Sequence, residues 1–200
     1  MKSSIPAGAS SDECFWFPMR VAYGRGFAIR EVLKEEGVEY FLPVDKKIIP
    51  DESGPKVVES LKISNLIFIH SSKDRITELK HNDNTCSYLR FMTYIPREDL
   101  RADMTDFEKN EARRIIIVDD ASMQRFIFVV EEMQEHVTLM EFGDAFNYIG
   151  RRCRILGGKL AGMEGVLRRV QNIRRVYIDL NGIITAQIDS MPRNYIEILE

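Results

Sequence analysis

The spacing of apolar and polar positions changes several times along the chain, and each spacing predicts an element. Residues 14–22 are dense in aromatic and branched side chains and read as a strand, although Pro18, which cannot donate to a sheet ladder, lies inside it. Over 23–36 the apolar positions Ala28, Ile29, Val32 and Leu33 recur at intervals of three and four, which predicts a helix stopped by Gly37. Residues 38–44 predict a second strand, and 45–55, with Pro50, Ser53 and Gly54, a hairpin loop leading into 56–62. Over 65–70 the alternation puts Leu66, Phe68 and His70 on one face of a strand and Ile67 and Ile69 on the other. Both faces are apolar, so a sheet with helices on one side only would leave the Leu66–Phe68 face to be covered by a partner. Ser72 caps a short helix over 72–80 with Ile76 and Leu79 facing inward, and 88–94 predicts another strand.

Residues 96–114 mix charges of both signs without apolar periodicity and read as an exposed, mobile insertion. A strand-like run at 115–118 precedes a helix capped by Asp119 or Asp120, in which Met123, Phe126, Ile127 and Val130 follow helical spacing. Residues 137–140 are strand-like and Gly143-Asp144 is a break. Beyond it, 153–156, 165–170 and 176–180 predict three strands, the first two joined by a turn with Gly157, Gly158, Gly162 and Gly165 and the last two by a turn at Gln171-Asn172. The glycines supply positive-φ or close-approach positions. Each would weaken a helix by roughly 1 kcal/mol relative to alanine, so a small, strongly bent antiparallel barrel is the expected state. The whole order predicts an α+β chain, a sandwich followed by a barrel. Its divisions are a disordered lead at 1–13, a first domain at 14–131, a linker at 132–146 and the barrel at 147–200.

Composition adds an asymmetry. Among 200 residues there are 28 Lys and Arg against 31 Asp and Glu, a net charge of −3. Residues 145–200 hold nine basic and five acidic residues, net +4, which leaves 19 against 26, net −7, for the rest. A basic barrel on an acidic body implies separate contact surfaces. No apolar run is long enough to cross a bilayer and the first 13 residues lack a signal-peptide core, so a cytoplasmic protein is expected.

Catalytic chemistry finds no foothold. Cys14, Cys86 and Cys153 are odd in number and far apart, and His81 with Cys86 is too sparse a pair for a metal site. Lys159 follows Gly158 directly with no Ser or Thr after it, unlike a Walker loop, and no G-x-S-x-G elbow is present. The chain is expected to be no enzyme and to need no cofactor or metal.

The turn at Gly157, Gly158, Lys159, Leu160, Ala161, Gly162, Glu164 and Gly165 resembles a KOW motif, with Lys159 and Leu160 where the usual pattern has proline and phenylalanine. Upstream, Phe15-Trp16-Phe17-Pro18, Phe41-Leu42-Pro43, Asn65-Leu66-Ile67-Phe68-Ile69-His70 and Val118-Asp119-Asp120 through Phe126-Ile127 are similar to the N-terminal domain of NusG-family transcription factors, and most of all to UpxY-type paralogues. The resemblance covers nearly everything from Phe15 to Leu199. It implies a ferredoxin-like NGN sandwich followed by an SH3-like KOW barrel.

It also implies a monomeric, non-enzymatic elongation and antitermination factor that rides on RNA polymerase, in UpxY relatives on operons for surface polysaccharide synthesis. Leu66, Phe68 and Tyr88 match the surface that grips the clamp helices of the largest polymerase subunit, so Phe68→Ala is expected to weaken polymerase binding more than folding. Arg20, Tyr23 and Arg25 are the candidates for the non-template DNA strand, because guanidinium groups bind phosphate and aromatic rings stack unpaired bases. The barrel would dock Rho or a ribosomal protein. Alternatively it would bind RNA through Arg151, Arg152, Arg154, Arg168, Arg169, Arg174 and Arg175. A general NusG-like factor and a KOW-type RNA- or ribosome-binding protein are the other readings. The His70-Ser71-Ser72 turn, where a paralogue has a polymerase contact, reads as a strand end entering a helix cap.

Overall fold

The computed structural model describes residues 2–6, 8–51, 54–141, 150–170 and 172–199. Ser53 of the predicted loop, the break at Gly143-Asp144, Gln171 of the predicted turn, and Met1 and Ala7 of the predicted lead lie outside them. The chain is mixed α+β with antiparallel sheets, and it divides into two compact units, one of Lys2–Leu42 with Ser64–Asp120 and one of Pro43–Ile63 with Ala121–Glu200.

The first unit holds β1 (Ser3–Ser4), β2 (Phe15–Val21), α1 (Gly26–Glu35), β3 (Glu39–Phe41), β6 (Leu66–Ser71), α2 (Lys73–Asn82), β7 (Leu89–Phe91), β8 (Thr93–Tyr94), α3 (Asp106–Ala112) and β9 (Arg114–Ile117). Strands β3-β6-β2-β7 form one sheet and β1-β9-β8 another. The register sets Phe17, Met19 and Val21 on one face with Ile67, Ile69, Leu89 and Phe91. Helix α2 lies on that face, since the Lys80 ammonium sits 5.1 Å from the Phe91 ring centre. Ser72 caps it by accepting from the Arg75 N–H at 3.2 Å, as its place before the apolar spacing predicts. Arg75 pairs at 2.5 Å with Glu36 at the end of α1, so the two helices are tied together.

The opposite face carries Trp16, Pro18, Phe41, Leu66 and Phe68, and all five are buried. Phe68 is 0% exposed and packs 6.4 Å from the Phe41 ring. The face expected to be left uncovered is therefore closed to solvent. Pro18 is tolerated because of where the ladder ends. Its carbonyl accepts from the Met92 N–H at 3.3 Å, and the Met92 carbonyl that a Pro18 N–H would have met accepts instead from Ile116 at 2.9 Å.

That handover explains a difference at 88–94. The predicted single strand is a 3-10 turn (Cys86–Tyr88), then β7 in one sheet and β8 in the other. Two segments expected to lack structure also have it. Ser3 and Ser4 pair with Ile117 and Ile116, and the insertion contains α3, held by a capping box in which Thr105 and Glu108 each satisfy the other's backbone N–H.

The second unit holds the hairpin of β4 (Val44–Asp51) and β5 (Gly54–Leu61), then α4 (Asp120–Met133, from Ala121 on), β10 (Val137–Glu141), β11 (Arg151–Ile155), β12 (Glu164–Val170), β13 (Ile173–Leu180), β14 (Ile184–Ile188) and β15 (Ile196–Ile198). The predicted loop at 45–55 is thus mostly strand, because each of its described residues has a register partner across the hairpin. At the hairpin base the buried Lys62 ammonium is satisfied by Asp45, by the Gln134 carbonyl at 2.7 Å and by the Val137 carbonyl at 3.3 Å.

The last six strands form one sheet in the order β10-β14-β13-β12-β11-β15. Val137, Leu139, Cys153, Ile155, Val176, Leu180, Ile184, Ala186 and Ile188 share one face and are buried. The expected barrel is corrected in one respect: among the described residues no ladder joins the edge strands β10 and β15, so the sheet does not close on itself. The strand at 137–140, placed by the sequence between domains, is the edge strand β10.

Candidate nucleic-acid interface

Strands β2 and β7 run antiparallel with Val21 opposite Leu89, so the turn that leaves β2 lies beside the turn that enters β7. The first carries Tyr23 and Arg25, the second Tyr88. The Tyr23 and Tyr88 rings meet edge to face with centres 5.8 Å apart, and the Arg25 guanidinium lies 4.0 Å over the Tyr88 ring. Arg20 and Arg90 are directly opposite each other in the same ladder.

Tyr23 is 87% exposed and sits at φ 57°, ψ 31°. The left-handed region costs a residue with a Cβ roughly 1–2 kcal/mol. Gly24 beside it is also left-handed, at φ 65°, where glycine is the natural occupant. This backbone leaves most of the Tyr23 ring in solvent while one edge meets Tyr88.

The second turn is held from below. Cys86 is buried, and its N–H donates to Asp83 Oδ1 at 2.7 Å. Burial first, and the Asp83 carboxylate second, push the Cys86 thiol up to about 11, so it stays neutral and inert. Lys80 has its pKa lowered, chiefly by burial and then by the charge of Arg90. Arg90 donates to the Ser87 carbonyl and to the Leu89 carbonyl at 2.9 Å. Among the described residues neither Arg25 nor Arg90 has an ion pair with a carboxylate.

Chemically, the cluster offers an exposed ring for a base and guanidinium groups for phosphate. A guanidinium stacked on an aromatic face keeps its in-plane N–H donors free. The structural contribution is smaller, about 0.5–1 kcal/mol for an exposed cation–π contact.

The sequence-selected residues separate into those that the structure gathers and those that it withdraws. Tyr23 and Arg25 come together with Tyr88, and Arg20 lies immediately before Val21 on the same strand end. Leu66 and Phe68 are 3% and 0% exposed and do not reach the cluster's surface. Arg90 joins the cluster through the β2–β7 register, and Lys80 through the packing of α2 over Phe91, neither of which the local sequence pattern marks. His70 stacks on Trp16 at 5.1 Å, and its Nδ1 is 2.8 Å from Glu39 Oε2, which suits a polar strand end.

In the glycine turn, Gly158 and Gly162 have φ of 74° and 88°. Gly157 and Gly165 are close approaches instead: a Cβ would stand 3.0 Å from the Tyr195 ring and 2.6 Å from the Tyr177 carbonyl oxygen. Leu160 is buried and Ala161 exposed. Lys159 pairs with Glu132, and Glu164 with Arg154 at 2.7 Å and Arg152 at 3.3 Å. The Glu164 carboxyl is lowered, first by its hydrogen bond to Arg154.

Among the described residues no group of three or more His, Cys, Asp or Glu side chains could hold a metal, and no helix is long and apolar enough to cross a membrane. Compared with known proteins, the chain matches no protein-family model and no curated protein.

Proposed function

We propose that the chain is a specialised NusG-type elongation and antitermination factor, a non-enzymatic cytoplasmic protein that rides on RNA polymerase and touches the exposed non-template strand. The observation that carries this reading is the meeting of Tyr23, Arg25 and Tyr88 in one solvent-facing cluster, two of them drawn from the DNA candidates and one from the polymerase candidates. An arrangement of NGN sandwich and KOW module is supported by the strand order β15-β11-β12-β13-β14, in which the last strand returns beside the first, and by the glycine roles in the β11–β12 turn. In this reading Tyr88 serves both surfaces, and Leu66 and Phe68 meet the clamp helices only after their own cover is displaced.

The test is binding of the full chain to cognate RNA polymerase, alone and in an elongation complex with its non-template strand exposed. The wild type should bind the complex more tightly than the bare enzyme, and Tyr23→Ala with Arg25→Gln should abolish that difference while leaving the affinity for the bare enzyme. A wild type that binds neither form overturns the reading.

A further inference from the structure

The arginines of the C-terminal sheet divide by face. On the face away from the core, Arg154 pairs with Glu164 at 2.7 Å and Glu197 at 3.5 Å, and Arg152 with Glu164 at 3.3 Å. Arg175 lies 2.9 Å from Asp189 Oδ1 as an ion pair, although its Nε–H is not aimed to form a hydrogen bond.

The register puts Arg151, Arg169 and Arg174 on the other face, at the end of the sheet beyond its apolar core. Arg151 is opposite Leu167, and Arg169 is opposite Arg174. Among the described residues none of these three has an ion pair: Arg169 donates to Asn172 Oδ1 at 2.7 Å, and Arg151 and Arg174 meet no acceptor. Arg169 and Arg174 are thus like charges directly across a ladder, with Arg151 on the diagonal about 7–8 Å away, an arrangement that disfavours the sheet until an anion bridges it.

We propose that Arg151, Arg169 and Arg174 form a binding site for the phosphodiester backbone of a single-stranded polynucleotide. Three guanidinium forks on two-residue and cross-strand spacing suit successive phosphates, each of which accepts bidentate hydrogen bonds. Of the large exposed apolar side chains of this sheet, Ile173 is on the other face and Leu156 follows β11, while Ile198, on β15 beside β11, lies on the triad's face diagonal to Arg151. A protein partner would draw its affinity from a cluster of buried apolar anchors, whereas among the described residues this face exposes Ile198 at the margin of three cations. The site is independent of the polymerase reading and lies in the other unit from the Tyr23 cluster.

The experiment measures binding of the full chain to labelled oligouridine RNA, to oligothymidine DNA of equal length and to polyglutamate, between 50 and 200 mM salt. Three neutralised phosphates predict a log–log salt slope steeper by roughly 2, or on the order of 20-fold over that range. The variant Arg151→Gln/Arg169→Gln/Arg174→Gln should lose that component, the triple lysine variant should keep it, and the single change Arg151→Gln, at an exposed position, should lose about a third. Arg152→Gln/Arg154→Gln, on the paired face, should bind as the wild type does. A preference between the two nucleic acids identifies which polymer is held. The proposal is overturned by an unchanged slope in the triple glutamine and single variants, by an equal loss in the paired-face control, or by polyglutamate binding as tightly as RNA.

Discussion

The two large sheets solve burial in opposite ways. The sheet β3-β6-β2-β7 is apolar on both faces, and Phe68 and Ile69, neighbours that point to opposite sides, are each 0% exposed. The C-terminal sheet buries Val176, Ile184, Ala186 and Ile188 on one face and Tyr177, Thr185 and Gln187 on the other, but the β12-β11-β15 end of that second face exposes Arg152, Arg154, Glu164 and Glu197. A sheet buried twice has no free face for recognition, so its exposed chemistry moves to the strand ends, where Tyr23, Arg25 and Tyr88 sit. A sheet that leaves one end of its faces open can use that end, and there the distribution of carboxylates decides which cations are available.

The largest test of that contrast is paired truncation. Phe68→Ala should cost about 3–5 kcal/mol and Ile69→Ala about 2–5 kcal/mol in urea unfolding, because both faces are core. Ile155→Ala should cost about 2–5 kcal/mol while its neighbour Arg154→Ala leaves the midpoint almost unchanged. A mild Phe68→Ala would break the comparison and restore that residue as a surface group. Next, Tyr23→Gly should raise stability by about 1 kcal/mol by relieving the left-handed backbone, yet weaken single-strand binding by about 1–3 kcal/mol through lost stacking. Opposite signs in the two measurements are the expected result; a loss of stability would make Tyr23 a packing residue.

Much of this was legible beforehand, for identifiable reasons. The alternation at Leu66–His70, the helical spacing of Ile29 and Leu33 and the Ser72 cap depend on near neighbours in the chain, and the structure has them as read. The burial of Leu66 and Phe68 is a property of the folded chain, which the alternation at 65–70 does not register. Helix α3 escaped notice because its stabilising device is a polar capping box and its Phe107 is 75% exposed, so no apolar stripe marks it. In the cluster, Tyr23 and Arg25 were legible from residue type, whereas Arg90 needed the β2–β7 register. The failure of the C-terminal strands to close depends on the pairing of β10 with β14, again a long-range fact.

Smaller effects sharpen the same contrast. At pH 8 a thiol reagent should label exposed Cys14 quickly and leave buried Cys86 and Cys153 intact, both of whose thiols are raised first by burial. For Cys86 the folded value lies above the unfolded one, so its contribution to stability is present at neutral pH and is lost as pH rises toward about 11. Rapid labelling of Cys86 in the native protein would show that the turn beneath Tyr88 opens. The smallest effect is that of Glu164. Its carboxyl is lowered in the fold, so its contribution holds above the unfolded carboxylate value and fades as pH falls through the folded one. Glu164→Gln should flatten the acid limb of the stability profile and leave neutral pH nearly unaffected.

Pro18 also sets the order in which the first unit should come apart. With one hydrogen bond in place of two at the Pro18–Met92 pair, the β1-β9-β8 sheet is joined to β2 by sparse single links, of which the Met92 N–H to Pro18 and the Val118 N–H to Trp16 at 2.9 Å are two. Such a sheet can open below the cost of global unfolding. In native-state hydrogen exchange, the amides of β9 should therefore exchange through a sub-global opening, well before those of β6, which has paired strands on both sides.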